Sequence, residues 1–174
     1  MELEATVPRL DRALRGEGLR ALLASAVGDH EGARTLAADV LARAEASWRA
    51  PESALAMLEA LAALGRWEEL TEHVAHVRNF AGALVTLAPT CDRAEGLVRA
   101  AAGDLDTAAE LFSRSLEAFD RLGERYEAAR TREVLAGVTP TEKGRDLLAE
   151  ALRQYEDLGA RPDAERARVL LAKA

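Results

Sequence analysis

Aromatic residues are scarce in this chain of 174, at 4%, isoleucine is absent, and cysteine occurs once, as Cys91. A sequence so poor in strand-forming side chains has little from which to build a sheet. No segment alternates apolar and polar residues at period two for long enough to make one. A lone cysteine cannot close an internal disulfide, which fits a reducing cytosol. The longest uncharged stretch, Asn79 to Cys91, contains Gly82 and Pro89 and is too short to span a bilayer, and Met1-Glu2-Leu3-Glu4 opens acidic rather than basic then apolar. These features predict a cytoplasmic protein without a signal peptide or membrane span. Lysine is nearly absent, at 2 against 21 arginines, and Asn79 and Gln154 are the sole side-chain amides, a bias that thermophily and GC-rich coding produce equally. The formal net charge of −7 and pI of 5.1 disfavour nonspecific attraction to nucleic acid or anionic lipid.

What the chain does have is alanine and leucine, 65 residues together, which is a helical composition. It also repeats itself. Ser115 to Ala136 reads SLEAFDRLGERYEAARTREVLA, and 36 residues on Ala151 to Ala172 reads ALRQYEDLGARPDAERARVLLA, with nine of 22 paired positions identical. A period in this range signals stacked helical hairpins, because each unit exposes an apolar face that only a neighbour can cover. The prediction is an all-α, right-handed superhelix of antiparallel helical hairpins, an α-solenoid. With no Pro, Gly or Ser-rich linker, residues 1–174 read as one repeat domain.

Three turns carry common punctuation: Gly28-Asp29 with Ala33, Gly65-Arg66 with Leu70, and Gly103-Asp104 with Ala108. Glycine suits the left-handed position that ends a helix, and Asp29 or Asp104 can accept from the free N–H groups that open the next. Aligned on these glycines, Leu36, Leu41, Leu111 and Leu116 form core stripes at helical spacing, as do Ala37, Val74 and Phe112. A fourth turn, Thr139-Pro140-Thr141-Glu142, reads as a capping box with Thr139 as N-cap. About ten helices follow, over 7–15, 17–27, 30–47, 51–63, 67–80, 88–102, 105–121, 124–137, 141–157 and 161–173, the bounds being least defined from Phe80 to Pro89.

The set Gly65, Trp67, Leu70, Gly96, Gly103, Ala108 and Phe112 resembles the tetratricopeptide repeat, in a longer unit and with departures at several consensus sites. The segment AAGDLDTAAELFSRSLEAFDRLGERYEAARTREVLAG and the later LLAEALRQYEDLGARPDAERARVLLAK resemble the C-terminal repeat region of large LuxR-type ATP-dependent transcriptional regulators, over residues 94–173 and more loosely over 17–80. The resemblance implies a repeat platform for signal sensing and protein contacts. It does not extend to the ATPase or DNA-reading parts. No Gly-x-x-x-x-Gly-Lys-Ser/Thr run is present, and TPTEKGRDLL at Thr139 to Leu148 is in phase with the 36-residue repeat and is followed by no basic reading helix.

No residue set compels a chemistry. His73 and His76 stand one turn apart, with Glu69 and Glu72 each four residues before one of them, a spacing that could hold a divalent metal. His73 also aligns with Leu36 and Leu111, which favours packing, and His30 aligns with Trp67 and Leu105 as a turn residue. Cys91 reads as a structural thiol. Arg130, Arg132, Arg166 and Arg168 are interleaved with Glu127, Glu133, Asp163 and Glu165, a solvated face with helical ion pairs.

The sequence therefore predicts a non-catalytic protein-interaction scaffold without a cofactor or metal. Its regulator-type resemblance adds a signal-sensing role; a small-ligand-sensing domain is the alternative, ahead of a metal-dependent enzyme or a DNA-binding protein. The tetratricopeptide pattern places a candidate groove for a protein or peptide at Glu52, Leu55, Glu59, Arg93 and Leu97. Val169, Leu170 and Leu171 wrap more of the closing helix than one neighbour should cover, and mark a candidate self-association surface.

Overall fold

The computed structural model describes residues 3–44 and 50–173. Among these residues the chain forms nine α-helices and a short 3-10 turn, Ala81–Ala83, and no strand. In order they are α1 (Leu3–Ala26), α2 (His30–Arg43), α3 (Pro51–Ala63), α4 (Trp67–Arg78), α5 (Leu87–Ala101), α6 (Leu105–Leu122), α7 (Arg125–Gly137), α8 (Thr141–Leu158) and α9 (Arg161–Lys173). Expected residues 45–47 of α2 lie outside the described residues. The 3-10 turn lies between α4 and α5, in the stretch from Phe80 to Pro89.

The count is nine rather than ten because the two helices expected over 7–15 and 17–27 are one. Gly16 and Gly18 do not break α1, and Gly18 has a packing reason to be there. A Cβ on it would lie 2.8 Å from Ser53 Oγ and 3.1 Å from the Ser53 backbone nitrogen, so the missing side chain lets α1 approach α3. The capping box also does not form. Thr139 Oγ1 donates to the Leu135 carbonyl at 2.6 Å, and Pro140 takes the N-cap position of α8. A hydroxyl committed backwards to the preceding helix cannot cap the following one.

Contacts divide the chain into two compact units, residues 1–94 and 95–174, with the division inside α5. In the first unit α1 packs on α2 and α3, α2 on α3, and α3 on α4. Leu14, Val40, Ala44 and Ala50 form one buried cluster there. Helix α3 is apolar around most of its circumference and is accordingly the most enclosed, with Ala54, Ala56, Met57, Leu58, Ala60 and Leu61 all buried. In the second unit α6 packs on α7, α7 on α8, and α8 on α9. The stripe of α6, Ala108, Leu111, Phe112, Ser115 and Phe119, is buried at helical spacing.

Five turns share one geometry. Gly28, Gly65, Gly103, Gly123 and Gly159 all have positive φ, between 66° and 89°. In each, the glycine N–H bonds the carbonyl three residues back and the next N–H bonds the one five back, as in Gly103 to Ala100 and Asp104 to Arg99. This pair of hydrogen bonds satisfies carbonyls that the helix end would leave open. Asp29 and Asp104 then cap the following helices by accepting from the Gly32 and Thr107 N–H groups.

Candidate interaction surface

Helix α3 carries three of the groove residues, spaced so that Glu52, Leu55 and Glu59 share one face. Arg15 of α1 donates to Glu52 at 2.8 Å, and Arg93 of α5 donates to Glu59 at 2.7 Å. Glu52 and Arg93 are buried, while Leu55 and Glu59 are half-buried. Leu97 belongs to the second unit, where it packs against the cluster of Ala108, Phe112 and Leu135. The structure thus brings Glu59 and Arg93 together, pairs Glu52 with a residue the sequence did not point to, and sends Leu97 into a core.

His73 and the thiol are built into packing, whereas His76 is exposed. His73 Nε2 lies 3.1 Å from the Ala54 carbonyl, so the neutral ring ties α4 to α3. Burial holds its pKa below the ordinary imidazole value, against the pull of that hydrogen bond. The His73 and His76 rings are 6.5 Å apart, and His76 meets Phe80 edge-on at 5.5 Å. No group of three or more His, Cys, Asp or Glu side chains able to hold a metal occurs among the described residues. His30 sits at the first turn of α2, with Ser25 Oγ 3.5 Å from Nδ1, and Cys91 is buried.

The richest polar arrangement joins α7, α8 and α9. Tyr155, enclosed between them, donates to Glu133 at 3.1 Å, and Glu133 accepts two further bonds from Arg166, at 2.7 and 3.0 Å. Burial first, and then the Glu133 charge, pushes the Tyr155 phenol well above its usual range, so it remains a donor. Arg166 also pairs with Asp163 at 2.8 Å, and Tyr126 donates to Asp163. The expected ion pairs within helices are present, Arg130 with Glu127 and Arg168 with Glu165. The cross-helix pairs were not expected. Arg132 grips Asp120 through both carboxylate oxygens, and Arg168 meets Glu156 at 2.5 Å. These two pairs are the same contact one 36-residue repeat apart.

On α9, Ala164 and Ala167 are buried against Tyr155 and Ala151, whereas Val169 and Leu170 are exposed and Leu171 is half-buried. The α8–α9 turn opens a cleft of about 750 Å³, lined in part by Arg161, Pro162, Glu165 and Arg168. No helix among the described residues is long and apolar enough to cross a membrane.

No protein-family model matches the chain, and no curated protein matches it. Among solved structures it is similar to the TPR-like repeats of a Podosopora anserina protein described as a kinesin light chain, with a TM-score of 0.51, 17% identity and 94% of each chain covered. The likeness shows the fold, a tetratricopeptide-like α-solenoid of helical hairpins.

Proposed function

We propose that this chain is a non-catalytic protein-interaction module, presenting helix faces and turn clefts to segments of other proteins. The observation that carries this is the face of α9. Val169 and Leu170 stand exposed on a helix that buries Ala164 and Ala167 and whose earlier turns, Arg161 to Arg168, line an open cleft. A cleft this open and lined by charges suits a polypeptide better than a small apolar ligand, which needs an enclosed pocket. The paired strip on α3 and α5 is a second contact surface, with Leu55 as its half-exposed apolar group. A signal-sensing role in a transcriptional regulator system rests on the sequence resemblance, and a cytoplasmic place on the lone Cys91, and both belong to the same reading.

Quantitative affinity purification tests it, comparing the wild type with a Val169→Glu/Leu170→Glu variant shown by circular dichroism to be folded. Partners lost from the variant support the reading. Identical partner sets would remove α9 from the interaction surface. Sedimentation at micromolar concentration of the same pair decides whether self-association through Val169, Leu170 and Leu171 is one of its uses.

A further inference from the structure

The internal repeat shows what covers a face like that of α9. One repeat earlier, α7 presents Arg125, Tyr126, Ala129, Arg132, Glu133 and Ala136, and α8 lies across them. Arg125 donates to Asp157 and Arg132 to Gln154, while Ala129 packs with Ala151 and Tyr155. Tyr155 donates to Glu133, and a Cβ on Gly144 would lie 2.9 Å from the Ala136 carbonyl. The N-terminal end of α7 therefore meets the C-terminal end of α8, an antiparallel docking sealed by charge at one end and by a glycine at the other.

Moved on by 36 residues, the same face of α9 is Arg161, Pro162, Glu165, Arg168, Val169 and Ala172. Every one of these is exposed. Both faces contain two arginines at the same positions, one glutamate, and three residues that are small, apolar or aromatic. Arg168 already makes the bond to Glu156 that Arg132 makes to Asp120, and its other donor turns to Glu165 of its own helix where that of Arg132 reaches Gln154 of the covering helix. The cleft beside Arg161 and Pro162 lies where α8 sits on the preceding repeat. One exchange changes what fits: the glutamate has moved from the position of Glu133 to that of Ala129.

We propose that this face of α9 is a seat for one amphipathic helix of a partner protein, laid antiparallel to α9 as α8 is on α7. The helix would carry a carboxylate in its last turn for Arg161, an acceptor one turn earlier for Arg168, and a cationic side chain against Glu165. A small residue or glycine near its start would meet Ala172. The apolar contribution comes from Pro162 and Val169, and the arginines also favour the negative C-terminal end of the incoming helix dipole. This rests on the interaction reading and names the partner's chemistry.

The probe is a fluorescent peptide of the α8 sequence, residues 141–158, in unchanged form and with Ala151→Lys to supply the cation for Glu165. Fluorescence anisotropy against the whole chain is expected to show saturable binding, at least about fivefold tighter for the Ala151→Lys peptide, a difference of about 1 kcal/mol. Arg161→Glu in the protein is expected to weaken it by at least about fivefold, and an Asp157→Arg change in the peptide to restore it. Arg161 is exposed, so circular dichroism should show this variant folded. Absence of saturable binding by either peptide overturns the proposal, as does binding indifferent to Arg161→Glu. A wild-type dimer that must dissociate before peptide binds also overturns it, because a second copy then holds the seat. If the peptides fail while affinity purification still loses a partner on changing Val169 and Leu170, the interaction reading stands and the helical occupant alone falls.

Discussion

Gly96 gives a test in which two known effects oppose each other. It lies in the middle of α5, where replacing glycine by alanine ordinarily stabilises a helix by about 1 kcal/mol. Here the new methyl would sit 2.5 Å from Phe112 Cε1 and 2.7 Å from Cδ1. Carbon atoms pack at roughly 3.5–4 Å, so the ring would have to retreat by about 1 Å. It has no room to do so, since Phe112 is fully buried with Ala108 and Leu135, and Leu97 and Leu116 close around that cluster. Overpacking of this kind costs about 1–3 kcal/mol, and a rigid ring against a helix backbone belongs in the upper half.

The expected balance for Gly96→Ala is a net loss of about 1–2 kcal/mol, or a fall in Tm of about 2–8 °C for a chain of this size. Urea titration and thermal melting followed by circular dichroism measure it. A second variant isolates the cause. In a Phe112→Leu background the clash is relieved, so Gly96→Ala should become neutral or stabilising, a coupling of about 1–3 kcal/mol. A single Gly96→Ala variant as stable as the wild type, or strict additivity in the cycle, would refute the close approach of α5 and α6.

Gly103 has φ of 83° and nothing within 4 Å of a Cβ, so Gly103→Val should lose about 1–3 kcal/mol from backbone strain alone, and more than His76→Ala in parallel melts. On α1, Gly18→Ala should destabilise because of Ser53, whereas Gly16→Ala, which meets nothing within 4 Å, should stabilise by up to about 1 kcal/mol; equal shifts in Tm would contradict the packing of α1 on α3. His73 supplies a pH dependence. Its folded pKa lies below the ordinary imidazole value of about 6.5, so between the two the unfolded chain binds more protons. Its contribution to stability is complete above about pH 6.5 and is lost as the pH falls through the lowered value, and a His73→Gln variant should show a flatter Tm against pH over that window.

The glycine turns were legible because a left-handed helix end falls on a single residue, and few side chains accept that conformation without strain. Gly28, Gly65 and Gly103 could therefore be read directly, and Gly123 and Gly159 occupy matching places in the 36-residue repeat. The break expected at residue 16 does not form, because a single glycine weakens a helix by about 1 kcal/mol without having to end it. Two positions on, Gly18 marks a close approach, which only Ser53, 35 residues away in sequence, reveals. Thr139 failed in a related way, since its hydroxyl had a carbonyl four residues back as well as an amide ahead, and the Leu135 bond prevailed.

Charges were harder to read than apolar stripes, and the difference is physical. An apolar residue needs only to be covered, so its periodicity suffices, whereas an ionised group taken out of water needs a particular partner in a particular place. Burial alone would require partners for Glu52 and Arg93, and the helices supply them from 37 and 34 residues away, Arg15 and Glu59. Tetratricopeptide positions marked those side chains as facing a groove, but could not show that neighbouring helices had already neutralised them. One signal for the α8–α9 surface was nevertheless present. Asp120 and Arg132 recur 36 residues later as Glu156 and Arg168, and a charge pair conserved in sign across an internal repeat marks a contact conserved in space. On that logic Arg125, bonded to Asp157, and its equivalent Arg161 are one position seen with and without a covering helix, which is why charge reversal at Arg161 is the sharpest single probe of this end of the molecule.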